Sequence, residues 1–400
     1  MELRAGRRAL HGFVALGSGG VTLCLLYFLY YGSGAAWTPF FNVYLQQIGL
    51  TGIEIGLLAG IKPAVMLVSQ PLWGAGADLW GRRRTLLVAM FLSAVLLLGY
   101  LGGATFLFFL AWGLLYTFLS NPVGTLIDSL VLDYLEGRPA VVFGQLRMWG
   151  AAGWAVAALV VGFAITGRDI RLIFIFGALL MLIGWLLAWR RTSETGDDRA
   201  FGQTWTGLGT LLRNRRLLLF LGLVTLLQIG AASIFSFYAV YMNKLGASRQ
   251  LIGFAFTLQG LSELPLYLTA AQIIRRIGPS RTVILAFLVF ATRAFLYSVI
   301  SVPLFAMMVE LLHGLSFSLF LVAAVDLVNR EVPSQWRATG QSLFWAAYFG
   351  AGSILGNTWA GFLYDRIGVQ AMFRVNGLLI LAIALCALLF LREPRAPATE

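Results

Sequence analysis

Gln70-Pro71-Leu72-Trp73-Gly74-Ala75-Gly76-Ala77-Asp78-Leu79-Trp80-Gly81-Arg82-Arg83-Arg84 decides the fold. The stretch is uncharged until Asp78, turns at a glycine, and ends in three consecutive arginines. An apolar run that stops at a cluster of arginines is a membrane exit on the cytoplasmic side. Three positions in it carry mechanical expectations. Gly74 would let a neighbouring helix approach closely, Gly81 would turn the chain, and Asp78 would be neutralised near a helix end by Arg82 and Arg83. Such a charge-paired loop can latch one conformer and release in another.

Outward from this stretch the pattern repeats. Breaks at charges and at Gly, Pro and Asn clusters leave twelve apolar runs, near 21–46, 53–75, 85–101, 104–130, 143–165, 170–189, 217–242, 250–273, 282–300, 303–328, 339–362 and 371–391. A span needs about 20 apolar residues. Several connections are as short as Gly102-Gly103, so consecutive helices are antiparallel. The runs are too long and too continuously apolar for barrel strands. Composition agrees, with 59% hydrophobic and 12% charged residues among 400. A soluble domain carries about 25% charged residues. The basic start, Met1 to Arg8, precedes an apolar stretch longer than the core of a signal peptide, and it reads as a retained first span. Cys24 and Cys386 lie in separate apolar runs and are expected to be two buried thiols.

The net charge of +12 invites a nucleic-acid reading, which its distribution excludes. With the N-terminus in the cytoplasm, 20 arginines fall on inner segments and 6 Lys or Arg on outer ones. Lys62, Arg147 and Arg293 fall within spans. This asymmetry is a topology signal. It places both termini in the cytoplasm of a cell membrane, plasma or bacterial inner.

The one long polar stretch, 190–216, divides the chain into 1–189 and 217–400, six spans on each side. An ungapped shift of 197 residues aligns the halves: Gly49 with Gly246, Gly81 with Gly278, and Arg84-Thr85 with Arg281-Thr282. Six spans per half make the repeats parallel, with a solute site expected between them near the midplane.

The loop at Gly74 to Arg84 resembles the GxxxDxxGRR signature of the major facilitator superfamily. Leu79 stands where that family usually has a base, and the second copy has Arg275 at the position of Asp78. Phe143-Gly144-Gln145-Leu146-Arg147-Met148-Trp149-Gly150-Ala151-Ala152-Gly153-Trp154-Ala155 resembles the corresponding segment of lactose permease-like proton symporters. Pro39-Phe40-Phe41 and Gln70-Pro71-Leu72 extend that likeness, and His313-Gly314 resembles the phenylpropionate and nucleoside permease-like branch. The resemblance implies an all-α integral membrane fold of about twelve helices in two six-helix pseudo-symmetric halves. It also implies that Asp128 and Arg147 pair and bind solute hydroxyls, and that Trp154 stacks on the solute.

Ionisable residues inside a membrane are functional hypotheses by default. Asp128, Arg147, Trp154, Glu263 and Lys62 are the candidate solute-binding residues. Trp154 lies about two turns from Arg147 on the same face. Lys62, before Pro63, could attract an anion, snorkel or pair with an acid. Arg293, Glu310 and His313 are the candidate proton switch. Glu310 and His313 share a helix face at i, i+3. An arginine approaching or leaving a carboxylate changes its proton affinity. The resemblance puts the family's acid one turn after the histidine, where this chain has Ser316. Each group also fits an inert reading, charges that only staple helices together.

The reading is of a secondary transporter of a small solute, sugar-like, nucleoside-like or an aromatic acid, working as a proton symporter. Its partners are the solute, a proton and the bilayer, with no nucleic acid and no cofactor or metal. It is expected to be a monomer. A proton antiporter exporting drugs or sugars and a non-transporting sensor remain open. No nucleophile–base pair, metal motif or Walker motif supports an enzyme.

Overall fold

A computed structural model describes residues 17–136, 138, 143–192, 211–333 and 336–391. Residues 193–210, the middle of the polar segment 190–216, lie outside the described residues. Among the described residues all regular structure is helical. The helices are α1 Ser18–Gln47, α2 Gly52–Trp80, α3 Arg82–Gly99, α4 Phe106–Leu135, α5 Phe143–Ala164 and α6 Leu172–Arg191. The second series is α7 Arg215–Lys244, α8 Arg249–Ile277, α9 Pro279–Val299, α10 Pro303–Glu331, α11 337–367 and α12 369–390.

Twelve spans follow from three observations. Nine described stretches are long and apolar enough to cross a membrane. One of them, Thr339–Phe390, runs for 52 residues but breaks at Gly368 (φ 79, ψ 170), which separates α11 from α12. α8 is bent by 57° just after Pro265, whose ring removes a helical hydrogen bond. α1 has 30 residues, about 45 Å at 1.5 Å each, with its apolar character diluted by Gly, Ser and Thr.

The repeat is legible in the backbone. Positive φ occurs at Gly49, Gly81, Gly167, Gly246, Gly278 and Gly368, in the turns between helices. Gly49 with Gly246 (φ 90 and 82) and Gly81 with Gly278 (φ 91 and 83) are the pairs of the 197-residue shift. Only glycine adopts this conformation without a Cβ clash. Thr85 and Thr282 each donate to the carbonyl of the turn glycine, at 2.9 and 2.7 Å.

The chain forms two compact units. One gathers Met1–Tyr44 with Val65–Phe201, the other Leu45–Ala64 with Gly202–Glu400. The core of the first includes Leu26, Tyr27, Leu86, Met90, Ile127, Leu146 and Met181, all buried. Large apolar side chains are also turned outward, such as Leu107, Leu72 and Val299. Lipid contact makes this stable, because acyl chains solvate apolar surface. Cys24 is buried, but Cys386 is exposed on α12, so one of the two expected buried thiols is not buried. Its position on the helix surface, rather than the apolarity of its run, decides this. The glycines of α11 pack closely: an added Cβ on Gly356 would lie 2.7 Å from Ile229 Cα, and one on Gly361 would lie 2.1 Å from Gly52 O.

Candidate functional site

In the second unit five charged or titratable side chains meet on three helices. Arg293 of α9 is wholly buried, and its Nη2 donates to Glu310 Oε2 of α10 at 2.9 Å. The other carboxylate oxygen, Oε1, accepts from Tyr297 at 2.5 Å. Tyr297 is one turn after Arg293, so α9 alone supplies both donors. Both Glu310 oxygens are thus held by side chains of α9. Arg293 Nη1 donates to Ser316 Oγ at 2.9 Å and lies 3.2 Å from His313 Nδ1. Gln259 Nε2 reaches the same ring nitrogen at 3.1 Å.

This geometry assigns the imidazole. Arginine has no acceptor, so Nδ1 accepts and the ring proton sits on Nε2. Nε2 in turn faces Glu263 Oε1 of α8 at 3.1 Å. A chain of polar contacts therefore runs Glu263, His313, Arg293, Glu310, Tyr297. Its ends differ: the Glu263 side chain is 23% exposed, and that of Glu310 is 2% exposed. Arg293 sits between His313 and Glu310 and donates to both.

Local backbone makes these contacts possible. Val309–Leu312 is a 3-10 turn and Gly314–Ser318 a π-helical turn. The 3-10 geometry stacks positions i and i+3, which puts Glu310 beneath His313. Gly314 brings α8 close: an added Cβ would lie 2.1 Å from Ser262 O, and Ser262 Oγ accepts from Gly314 N at 3.0 Å.

The first unit holds a second polar cluster. The expected direct Asp128–Arg147 pair is not made. Two tyrosines of α1, one turn apart, separate the charges instead. Tyr27 donates to Asp128 Oδ1 at 2.5 Å, and Arg147 Nη2 donates to Tyr31 at 2.7 Å. The guanidinium also lies 4.1 Å above the Tyr31 ring, a cation–π contact. Gly150 leaves room for this, since a Cβ there would lie 2.7 Å from both Arg147 Nη1 and Tyr31 Cδ2. Asp128, Arg147 and Trp154 are all half-buried. Trp154 lies against α1, 3.6 Å from where a Cβ on Gly34 would be. Lys62 belongs to the second unit, is exposed, and has no hydrogen bond or ion pair among the described residues.

At the loop after α2, Gly81 turns the chain and Arg82 forms a two-point bond with Asp133 of α4, at 2.8 and 2.7 Å. Arg83 Nη2 donates to Trp189 O at 2.6 Å. Among the described residues the close approach expected at Gly74 is not made: a Cβ there would meet nothing within 4 Å. That glycine lies on an exposed face of α2. The Asp78 side chain lies outside the described residues.

Residues 21–375 match the profile of the MFS_1 like family. The chain belongs to that family. A maltose permease of Geobacillus stearothermophilus is 28% identical over 380 residues, 94% of this chain and 95% of that one. A probable 3-phenylpropionic acid transporter of Escherichia coli K12 is 25% identical, covering 94% and 98%. The crystal structure of the nucleoside transporter NupG superposes with a TM-score of 0.85 at 19% identity, covering 94% and 100%, and so shares the fold. As an MFS_1 like protein the chain is a multi-pass secondary transporter of a small solute, and not an enzyme.

Sequence reasoning missed Tyr27, Tyr31, Tyr297 and Asp133. The three tyrosines read as apolar filling, and only their spacing, i to i+4 in α1 and from Arg293 in α9, marked them as sharing a face with a charge. Asp133 lies just past the apolar run 104–130, where nothing marks it as a partner of Arg82. Glu263, a candidate solute contact in the sequence, meets His313 in the structure.

Proposed function

We propose that this MFS_1 like protein is a proton-coupled symporter of a cell membrane. Both termini are cytoplasmic, and the bundles 1–189 and 217–400 are joined by the cytoplasmic segment 190–216. The observation that carries the reading is the buried Glu310 carboxylate, tied to Arg293 and linked through His313 to the more exposed Glu263. A buried carboxylate whose cationic partner can leave is a group that gains and loses a proton once per cycle. Withdrawal of Arg293 frees one Glu310 oxygen, so the carboxylate can take a proton in that conformer. Return of Arg293 expels the proton. Glu310 here takes the role that the family resemblance gives to the position of Ser316.

Within the first unit the solute is bound by Arg147, Asp128 and Trp154. Its class is a small polar molecule with a ring: a sugar, a nucleoside or an aromatic acid, in keeping with the maltose and 3-phenylpropionic acid relatives. Arg147 offers a planar two-point donor, suited to vicinal hydroxyls or a carboxylate. The Tyr31 hydroxyl occupies that donor until the solute arrives. At the inner loop Gly81, Arg82 and Arg83 form the gating latch, with Asp133 as the acid that holds Arg82.

The test is accumulation in proteoliposomes containing the purified protein. An inward proton gradient should drive a labelled maltoside, nucleoside or arylpropionate above its equilibrium level, and a protonophore should abolish this. Accumulation that ignores the gradient for every solute transported overturns proton coupling. Outward movement driven by an inward proton gradient favours the exporter.

A further inference from the structure

Leu45–Ala64 belongs by sequence to the first half, yet packs into the second compact unit. Its tie there is specific. Asp365, near the end of α11, accepts the backbone N–H of Gly52 at 2.6 Å and of Ile53 at 2.8 Å. These are the first two residues of α2. The third, Glu54, donates its N–H to Thr51 Oγ1 at 3.3 Å, while Glu54 Oε2 accepts from Thr51 N at 2.8 Å. That reciprocal pair is a capping box and starts the helix by itself. The two bonds from Asp365 are therefore additional, and they reach across positions 312 and 313 residues away in sequence.

The surfaces that meet are backbone surfaces. A Cβ on Gly52 would lie 2.7 Å from Gly361 O, one on Gly56 would lie 2.2 Å from Asn357 O, and one on Gly361 would lie 2.1 Å from Gly52 O. Beside them Gln46 donates to the Tyr364 hydroxyl at 3.0 Å and accepts from Asn243 of α7 at 3.3 Å. Lys244 lies 4.4 Å above the Tyr364 ring. Glycine faces carry no interlocking side chains, so they separate without rotamer changes. Asp365 is exposed, as is Gly52's neighbour Ile53. On separation its carboxylate and the two freed N–H groups pass to water, which makes the tie reversible. A carboxylate at a helix N-terminus is also favoured by the helix dipole.

We propose that Asp365 is a gate-positioning residue: its carboxylate latches the start of α2 onto α11, holds the outer end of this helix pair closed, and must let go in each transport cycle. Its placement on the outer side rests on the orientation proposed above; the latch does not depend on proton coupling.

The test uses the full chain with Cys24→Ser, Cys386→Ser and Gly60→Cys. Position 60 continues the face of Gly52 and Gly56, and a Cβ there makes ordinary contact with Ile354 at 3.7 Å. Right-side-out and inside-out vesicles are treated with a membrane-impermeant maleimide, and solute exchange is measured alongside as the control for folding. With Asp365 intact, labelling from outside is slow. Asp365→Ala should raise its rate about tenfold or more, the loss of two charge-assisted bonds. Asp365→Asn, with one acceptor oxygen, should fall between, and Asp365→Glu near the parent. Gly361→Ala keeps the carboxylate but forces the helices apart, and should raise labelling as Asp365→Ala does. Equal labelling rates in the parent, Asp365→Ala and Asp365→Asn, with exchange retained, overturn the latch. A rise seen only in inside-out vesicles upholds the latch and reverses the orientation, which separates the two failures.

Discussion

In the second unit both oxygens of Glu310 are taken by charged or strong donors from α9, and His313 is fixed from both sides. In the first unit Asp128 and Arg147 each meet a neutral tyrosine hydroxyl, and neither is fully buried. Both clusters hold an acid and an arginine inside a membrane, but they are finished differently. A closed network of opposite charges can change only by moving a charge, which makes it a switch. A hydroxyl can turn from acceptor to donor and yield its place to a solute hydroxyl at small cost. The second arrangement suits a receptor.

That contrast can be broken most sharply at Glu310. Glu310→Gln removes the proton carrier, so gradient-driven accumulation should fall to the equilibrium level while solute exchange persists. Unchanged accumulation removes Glu310 from the switch. At Arg147, Lys keeps the charge but loses the planar fork, and half-saturation should rise about 10- to 100-fold, the worth of a charged hydrogen bond or two. Exchange assays across solute concentrations read this directly. Gly314→Ala drives a Cβ toward Ser262 O and should cost about 1–3 kcal/mol of stability. Thermal unfolding in detergent measures it, and coupling should weaken because Glu263 and His313 are pushed apart. Tyr31→Phe removes the placeholder from Arg147 and should change half-saturation by less than about tenfold. A loss of about a hundredfold, beyond the worth of one neutral hydrogen bond, would mean that Tyr31 itself is a principal solute contact. The smallest effect belongs to Arg82→Gln. Its pair with Asp133 is partly exposed, at 20% and 25%, and such a pair is worth about 1 kcal/mol or less.

The spans, their order and the internal repeat were readable because a bilayer demands long apolar runs and the turn glycines demand no Cβ. The turn at Gly81 followed from the same signals, and the gap between the runs 339–362 and 371–391 contains the break at Gly368. The charges Arg293, Glu310 and His313 announced themselves by their cost inside a membrane. Their partners were not readable, because Tyr297 and Tyr31 look like any aromatic in an apolar run. The Asp128–Arg147 expectation failed for this reason: charge complementarity suggested a direct pair, and nothing in the spacing showed that α1 would insert two hydroxyls. Gly74 illustrates the reverse case, a motif glycine that faces open space. The π-helical and 3-10 turns of α10 left no mark in the sequence, yet they set the register of Glu310 and His313.

Proton movement on solute addition tests the central claim most directly. Proteoliposomes with no imposed gradient receive a transported solute outside, and the external pH is followed. Symport through the Glu310 network predicts alkalinisation outside, absent with Glu310→Gln. Transport of the solute with no pH change in the wild-type protein would contradict it.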